Sequence, residues 1–317
     1  MGRYALRRAL AAVAVVCLVS VLVFLMIHLL PGDALLAKLG DTGRIPDDQM
    51  ALLRSKLGLD QPIYVQYAQW VRHVFDGTLG YSLIFEGQTV SGRIAHALPV
   101  TIELAVLSMI VALLIAVPLG VISAVKHDTM VDYVIRVFSL AGISFPQFWV
   151  GIIIVIYGTL YLGYHPPGKY ITFMSDPLAN LNAVWIPVLV LGFGLSATAM
   201  RLTRSTMLEA LNQDYVRTAR AKGLSETVVV YRHVMRNAII PVVTLVGNQA
   251  AFVFSGALIL EILFNRPGMG QLTYIAIQQR DYTQIEGNAL LTASIVVFVN
   301  LVVDLSYGFI DPRVRYG

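Results

Sequence analysis

The sequence predicts an all-α, polytopic membrane protein with about six transmembrane helices, on the strength of its composition and its long apolar runs. Of the 317 residues, 57% are hydrophobic and 13% are charged, and the mean hydropathy is +0.71. Soluble domains carry about 25% charged residues, so a water-soluble fold of this size would lack the polar residues to cover its surface. A helix that faces lipid can be apolar all round, which is the alternative that this composition favours.

Six segments are apolar and long enough for a helix to cross the hydrocarbon core, which takes about 20 residues. They are Ala9–Leu30, Val100–Val125, Arg136–Leu162, Val184–Ala199, Ala238–Phe264 and Ala289–Ile310. Several contain Pro or Gly, which membrane helices tolerate better than soluble helices do.

The first span is interpreted as a membrane anchor rather than as a signal peptide. Arg3, Arg7 and Arg8 precede it, as basic residues do in both classes. Its apolar run is longer than an h-region of about 7–15 residues, and no convincing small-residue cleavage site follows it. We therefore expect this helix to stay in the membrane.

The distribution of Lys and Arg predicts that both termini are cytoplasmic. With the N-terminus inside, the inner segments carry 14 of these residues, and the two short outer loops carry Lys169, Arg266 and Arg280. This excess follows the positive-inside rule, and the long segment 31–99 does not count because long loops cross largely regardless of charge. The predicted domains are residues 1–30 with the first helix, an extracytoplasmic region 31–99, a transmembrane core 100–310 and a cytoplasmic tail 311–317.

The extracytoplasmic region is long, polar and rich in aromatic residues. It is predicted to be helical around Asp48–Leu57 and Ile63–Phe75, with a break at Gly58 and Pro62.

The inner loop 201–237, between the fourth and fifth spans, is the most informative stretch of the chain. The segment Tyr215–Lys222 is predicted to be a helix, Gly223 suits a left-handed helix stop, and Ser225 is placed to cap a second helix. Thr206 and Glu209 have the spacing of a capping box, although the helix of the fourth span can equally continue through them.

Small residues at Thr218, Ala219 and Ala221 lie just before the predicted corner at Gly223. Small side chains let another surface approach a helix backbone closely. The orientation of the chain in the membrane is enough to explain the positive charge of this loop. It does not explain the length of the loop, its predicted helices or its small residues. They indicate a short helix that docks against a cytoplasmic partner.

The stretches RTARAKG and RHVMRNAIIPVVT resemble the EAA loop of type I ATP-binding-cassette (ABC) importer permeases. They are most similar to the B-type subunit of the dipeptide, oligopeptide and nickel transporter family. Arg217, Thr218 and Ala219 occupy the first three places of the motif, and Gly223 occupies the last. The motif glutamate is absent, and the later I-x-L-P pattern falls on His233–Arg236 without a proline, as expected for the peptide-importer branch.

Further stretches extend this resemblance over essentially the whole chain. They are LLPGD at 29–33, LGLDQPIYVQY at 57–67, GTLGYSL at 77–83, FNRPGMGQL at 264–272, RDYTQIEG at 280–287 and DPRVRYG at 311–317. The resemblance implies a type I ABC importer permease fold in a bacterial inner membrane. Dipeptides, oligopeptides, glutathione and nickel chelates all remain open as the substrate.

The resemblance also implies how the chain works and with what. The inner loop would form a coupling helix that docks on an ATPase subunit and transmits its movement to the pathway. The implied partners are a second, homologous permease, two ABC ATPase subunits, an extracytoplasmic substrate-binding protein and membrane lipid. The binding protein is expected to meet the segment 31–99 and the loop Pro267–Gly270. The implied coupling residues are Tyr215, Arg217, Thr218, Ala219, Lys222, Gly223, Arg232 and Arg236.

The chain is not expected to be an enzyme. It contains no G-x-x-x-x-G-K-[ST] phosphate loop, so ATP and Mg²⁺ are expected on the partner subunits and no cofactor on this chain. The single cysteine, Cys17, rules out a disulfide within the chain. Three histidines at or beyond the outer face, His28, His73 and His96, lack metal-ligand spacing. The scattered basic residues do not form a nucleic-acid footprint.

Four polar residues in the predicted spans have two readings each. Glu103 and Asp304 are intramembrane carboxylates, which are functional candidates, but both lie close enough to an interface to be hydrated, which favours a structural role. Asn248 and Gln249 in the fifth span either line a polar pathway or bond to another helix.

Two other functional classes fit the sequence less well than an importer does. A rhomboid-type serine protease also has six spans, and 194–197 faintly resembles its nucleophile motif, but no histidine is placed to act as the base. A secondary transporter or channel often shows inverted repeats, and none is visible here. The long ordered inner loop would also have no role in such a protein.

Overall fold

A computed structural model of the chain describes residues 2–29, 55, 60–168 and 170–310. The secondary structure of these residues is helical, apart from an isolated antiparallel bridge between Tyr81 and Thr89. The helices are α1 (Gly2–His28), α2 (Ile63–Phe75), α3 (Val90–Val125), α4 (Met130–Ser144), α5 (Gln147–Leu162), α6 (Pro177–Leu211), α7 (Asp214–Ala221), α8 (Glu226–Val228), the π-helical turn Val229–Val234, α9 (Met235–Gly256), α10 (Leu258–Leu263), α11 (Met269–Gln278) and α12 (Tyr282–Ile310).

The number of candidate membrane spans confirms the predicted all-α membrane class. Among the described residues, five helical segments are long and apolar enough to cross a bilayer: α1, α3, α6, Glu226–Ala250 and α12. The pair α4 and α5 becomes a sixth span if its two helices are counted together.

The third predicted span, Arg136–Leu162, is not one continuous helix but falls on the bent pair α4 and α5. The chain bends by 94° between α4 and α5, where Phe145 is extended (φ −91°, ψ 124°) and Pro146 precedes the next helix (φ −59°, ψ 132°). Proline has no N–H and disfavours the α conformation of the residue before it. The bend therefore falls at the Phe145–Pro146 step.

Other helices also differ from the predicted spans: some are longer than predicted, and one predicted span consists of two helices. α3 begins at Val90 instead of Val100, and α6 runs over Pro177–Leu211 instead of Val184–Ala199, because a helix does not have to end where its apolar run ends. The predicted fifth span is divided between α9 and α10. Asp176 caps α6 by accepting a hydrogen bond from the Ala179 N–H at 3.0 Å.

Packing within the described residues divides the chain into two compact units, each with its own core. The large unit comprises Ile102–Arg266 and the residues from Val299 onward, and the small unit comprises Gly2–Thr101 and Pro267–Phe298. The small unit thus combines segments that are far apart in sequence, whereas the predicted domains followed the chain in linear order. The predicted domain limits themselves stay a prediction.

In the large unit, α3 and α6 pack at backbone distance. A Cβ atom on Gly192 of α6 would lie 2.9 Å from the Ser108 carbonyl oxygen of α3, and one on Gly120 of α3 would lie 2.6 Å from Thr203 Cβ. Glycine permits this approach because it has no Cβ. The core around this contact is made by Leu104, Ala105, Ala112, Val184, Val188, Leu191 and Leu195, with Leu260 and Phe264.

In the small unit, two of the family-like motifs meet at the buried side chain of Asp281. Its carboxylate accepts hydrogen bonds from the Ser82 hydroxyl, from the Leu83 N–H at 3.1 Å and from Arg93 Nη1 at 3.3 Å. The Arg93 guanidinium also lies 4.2 Å from the Phe85 ring centre. The GTLGYSL and RDYTQIEG motifs are therefore two sides of one structural contact.

The helix predicted at Ile63–Phe75 is confirmed as α2. It packs on α1 through Phe24, Tyr67 and Trp70, and the Tyr67 hydroxyl lies 2.9 Å from Ser20 Oγ. The helix predicted at Asp48–Leu57 lies outside the described residues, except for Ser55.

Candidate functional site

The inner loop begins as a direct extension of α6. The helix continues through Thr206 and Glu209 to Leu211, and the Thr206 hydroxyl donates a hydrogen bond back to the Leu202 carbonyl at 3.0 Å. These two residues therefore do not form a capping box, and the second of the two readings is correct. Arg201 and Arg204 consequently lie on a helix that leads into the loop.

The next helix, α7, has an inward face and an outward face. On the inward face, Val216 is fully buried and Ala219 is 6% exposed. They pack in one hydrophobic cluster, which we call the coupling core: Val121 and Ala124 of α3, Met207 and Ala210 of α6, Val229, Val230 and Val234 of the π-helical turn, and Ala238 of α9. The outward face presents Tyr215, Arg217 and Thr218 to the surroundings.

The prediction that Thr218, Ala219 and Ala221 form one contact surface is wrong for Ala219. Its side chain points into the coupling core, whereas Thr218 and Ala221 are exposed. On a helix, residues one position apart are rotated by about 100°, so adjacent small residues cannot share one face. Ala219 therefore acts through packing inside this chain.

The corner after α7 is a Schellman motif, which confirms the predicted left-handed stop at Gly223 (φ +79°). The Gly223 N–H donates to the Arg220 carbonyl at 2.9 Å, and the Leu224 N–H donates to the Ala219 carbonyl at 3.4 Å. Ser225 precedes the next helix as predicted, but its side chain makes no capping hydrogen bond, so that part of the prediction is wrong.

An ion pair that the sequence reading missed spans this corner. Arg220 Nε and Nη2 donate to the two carboxylate oxygens of Glu226 at 2.7 and 3.2 Å, and this hydrogen bonding raises the pKa of Arg220. The sequence contains one sign of this pair: Arg220 and Glu226 carry opposite charges and stand on either side of the predicted corner at Gly223. The pair holds the beginning of α8 against the end of α7.

A π-helical turn over Val229–Val234 follows α8. Its three buried valines, Val229, Val230 and Val234, all enter the coupling core. Arg232 in this turn and Arg236 at the start of α9 are exposed. π-helical turns are rare and occur frequently at functional sites.

All eight predicted coupling residues thus lie on one segment, 214–236, which we call the coupling segment, and all but Ala219 are exposed. Its exposed members from that set are Tyr215, Arg217, Thr218, Lys222, Gly223, Arg232 and Arg236. A Cβ atom on Gly223 would meet no atom within 4 Å, so this corner is open to a partner.

The two predicted pathway residues differ in their surroundings. Gln249 Nε2 of α9 donates a hydrogen bond to Thr198 Oγ1 of α6 at 2.5 Å, which is the helix-to-helix contact that the sequence offered as one of its roles. Asn248 is exposed on the same helix. A pathway role for either residue stays a prediction.

The intramembrane carboxylate Glu103 has a structural contact in the large unit. It accepts a hydrogen bond from the Tyr170 hydroxyl at 2.6 Å, and burial, together with this hydrogen bond, raises the pKa of Tyr170. Asp304 is half-buried on α12. Arg266, predicted to be an outer-loop charge, is 1% exposed, and burial lowers its pKa.

The loop predicted to meet a binding protein, Pro267–Gly270, offers little surface within the small unit. Gly268 and Met269 are buried and Gly270 is half-buried, while Pro267 is exposed. The Met269 N–H donates to Thr101 Oγ1 at 2.8 Å, so the loop is held by its own unit. Contact of this loop with a binding protein stays a prediction.

Comparison with known proteins assigns the family. Residues 116–316 match the model for the inner membrane component of binding-protein-dependent transport systems, and residues 1–105 match the model for the N-terminal part of such components.

Similar curated proteins align along the full chain. A Brucella suis biovar 1 protein, provisionally named a peptide permease, is 40% identical over 317 residues, or 99% of both chains. The glutathione transport system permease protein GsiC of Salmonella choleraesuis is 39% identical over 316 residues, or 100% of both chains. A Brucella abortus protein, provisionally named a peptide transport system permease, is 38% identical over 98% of both chains. This chain therefore belongs to the family of inner membrane components of binding-protein-dependent transport systems, the permeases of ABC importers.

Proposed function

We propose that this chain forms half of the translocation pathway of an ATP-driven importer for di- or oligopeptides. The family membership and the names of its relatives, which refer to peptides and to glutathione, support this substrate class. Glutathione is itself a small peptide, so both names describe one chemical class. We infer that an extracytoplasmic binding protein selects among such peptides and delivers them to the pathway.

The coupling segment is the observation that carries the ATP-driven part of the proposal. Its outward face is basic and exposed, and its inward face is buried in a core shared with α3, α6 and α9. A surface helix fixed in this way moves as one body with the helices behind it, because packed cores do not deform continuously. A push on α7 by an ATPase subunit would therefore reach the transmembrane helices.

The proposed complex contains a second, homologous permease, two ABC ATPase subunits and a substrate-binding protein. ATP and Mg²⁺ would be held by the ATPase subunits, since this chain has no phosphate loop. Both termini would be cytoplasmic in a bacterial inner membrane, as the excess of Lys and Arg in the inner segments favours.

Purification of the tagged chain from its native membrane in a gentle detergent, followed by mass spectrometry, tests this architecture. We expect a second permease and two ATPase subunits to copurify. A chain that is recovered alone, and that transports peptide in liposomes without ATP, would contradict the proposal and favour a secondary transporter.

A glycine pair in the large unit tests the coupling segment. Gly223 and Gly163 both follow a helix in the left-handed conformation, at φ +79° and +63°, and a Cβ atom on either would meet nothing within 4 Å. We expect Gly223→Trp to lower ATP-driven peptide uptake by roughly tenfold or more, whereas Gly163→Trp carries the same backbone strain outside the coupling segment. An equal loss in both variants, or full transport by Gly223→Trp, would contradict the assignment.

A further inference from the structure

A buried ion pair joins three helices beside the coupling segment. Asp132, in the first turn of α4, is 0% exposed. Arg204 of α6 donates from Nε and Nη2 to its two carboxylate oxygens, both at 2.8 Å. The Ser123 hydroxyl of α3 donates at 2.5 Å, and the Asp128 N–H donates at 3.2 Å. We call this arrangement the Asp132 joint.

Each carboxylate oxygen of the joint receives two donors, which uses the acceptor capacity of the group. The planar guanidinium makes two parallel hydrogen bonds, a geometry that fixes orientation as well as distance. The joint therefore resists rotation between α4 and α6, which a single hydrogen bond or a contact between methyl groups would permit.

The joint also accounts for a group of side chains with metal-ligand spacing. Donor atoms of His127, Asp128 and Asp132 lie within 4.8 Å of one another. A cation there would have to displace the positive guanidinium of Arg204 and the hydrogen bonds from Ser123 and Asp128 to reach Asp132. The residues are thus arranged for an internal ion pair.

The position of the joint links the coupling segment to the bent α4–α5 span. Met207 and Ala210 lie on α6 between Arg204 and the coupling segment, and both belong to the coupling core. The members of that core come from α3, α6, the coupling segment and α9. None of them belongs to α4, whose hydrogen-bonded contact at this end is that of Asp132 with Ser123 and Arg204. Ile135, one turn further along α4, joins a separate cluster with Ala116 and Met200.

From the joint, the buried face of α4 continues toward the C-terminal end of the helix. Its buried residues are Asp132, Ile135, Ser139 and Gly142, at the spacing of one helix face. Ser139 donates to the Ala197 carbonyl of α6 at 3.0 Å, and a Cβ atom on Gly142 would lie 2.8 Å from Ala197 Cβ. The joint is thus the first contact of a continuous α4–α6 interface that ends at the bend.

We propose that the Asp132 joint transmits displacement of the coupling segment to the bent α4–α5 span, with Asp132 and Arg204 as positioning residues. The inference rests on the proposed function, because it needs an ATPase that moves the coupling segment. Without the joint, α6 and α3 would follow the coupling segment while the start of α4 slipped against them. ATP would then be hydrolysed with less peptide moved.

The test measures peptide transported per ATP hydrolysed by the complete complex in proteoliposomes. This ratio does not depend on how much complex assembles, so a loss of stability alone does not lower it. We expect Asp132→Asn to lower the ratio by about fivefold or more. Arg204→Lys, which keeps the charge but loses the two parallel hydrogen bonds, should lower it less.

Arg136→Gln is the matched control, because Arg136 is a charged residue on the exposed face of α4 itself, with its guanidinium 5.5 Å from the Tyr133 ring centre. It should leave the ratio unchanged. If Asp132→Asn does not accumulate in the membrane, the ratio of peptide transported to ATP hydrolysed is measured for Arg204→Lys, and that variant tests the proposal. Wild-type ratios in whichever of the two variants assemble would overturn the joint.

A distance measurement separates transmission from general damage. In a Cys17→Ala background, spin labels replace Tyr231 in the π-helical turn and Val137 on α4, which are 56% and 66% exposed. Addition of ATP should leave the distance between the labels unchanged in the wild type and change it in Asp132→Asn. A distance that stays fixed in both overturns the joint. A wild-type complex whose ATPase does not respond to peptide overturns the proposed function itself.

Discussion

The two units each contain a fully buried aspartate, and the two sites use the same kinds of donor for different purposes. Asp132 in the large unit and Asp281 in the small unit both accept from a serine hydroxyl, a backbone N–H and an arginine. Arg204 meets Asp132 through two hydrogen bonds of 2.8 Å, whereas Arg93 meets Asp281 through one of 3.3 Å.

The difference teaches what each contact holds. Asp132 fastens helix to helix, so the orientation of the guanidinium fork matters. Asp281 fastens the loop that carries Ser82 and Leu83. The Arg93 guanidinium makes one hydrogen bond to Asp281 and also stacks over the Phe85 ring. Two short arginine hydrogen bonds suit a place where two helices must keep their orientation, and one longer arginine hydrogen bond suffices where a loop must keep its shape.

The largest effect on stability is expected from Asp132→Ala. It leaves Arg204 charged and without its carboxylate in a site where the Arg204 side chain is 20% exposed, and such a loss costs about 3–5 kcal/mol. Thermal unfolding of the purified complex, followed by tryptophan fluorescence, would register this as a lower Tm. Asp76→Ala is the control because its carboxylate is exposed. A smaller cost than that of Asp281→Ala would reverse the ranking of the two sites.

Asp281→Ala is expected to have an intermediate and more local effect. Removing its carboxylate leaves the buried Ser82 hydroxyl and the Leu83 N–H without their acceptor, at about 1–3 kcal/mol. Hydrogen exchange should become faster at the Leu83 amide, while the amides of the coupling segment keep their protection. Uniform acceleration across both units would mean that the loop contact holds more than its own surroundings.

Arg220→Ala is expected to have the smallest effect on stability. The Arg220 and Glu226 side chains are 44% and 64% exposed, and exposed pairs contribute little to stability, a contribution that salt reduces further. The Tm difference between this variant and the wild type should shrink in about 1 M salt, unlike the difference caused by Asp132→Ala. A decrease in Tm as large as that of Asp132→Ala would show that this ion pair contributes more to stability than its exposure suggests, through the geometry of the corner.

Local sequence patterns were sufficient to predict the number of spans and the corner at Gly223. Apolar length predicted about six spans, because the thickness of the hydrocarbon core sets that length whatever the tertiary contacts are. Gly223 was recognised as a left-handed stop because only the few residues around it decide that conformation.

The bend of the third span shows where local patterns stop being sufficient. Pro187 and Pro241 lie inside continuous helices, whereas Pro146 separates α4 from α5 at 94°. The packing partners differ on the two sides of this proline. Gly142 of α4 lies against Ala197 of α6, and Gly151 of α5 lies against Leu263 of α10. Proline permits the bend, and these contacts select it.

The sequence by itself determined the membrane class, the family resemblance and the existence of an ordered inner loop, since composition, motif and periodicity are properties of the chain. Only the tertiary structure decided that Ala219 faces inward, that Arg204 pairs with Asp132 and that Asp281 joins two motifs. The partners of Asp132 and Asp281 are separated from them by as many as 72 and 199 residues. Pairing over such separations depends on which helix faces meet, and local periodicity does not encode that.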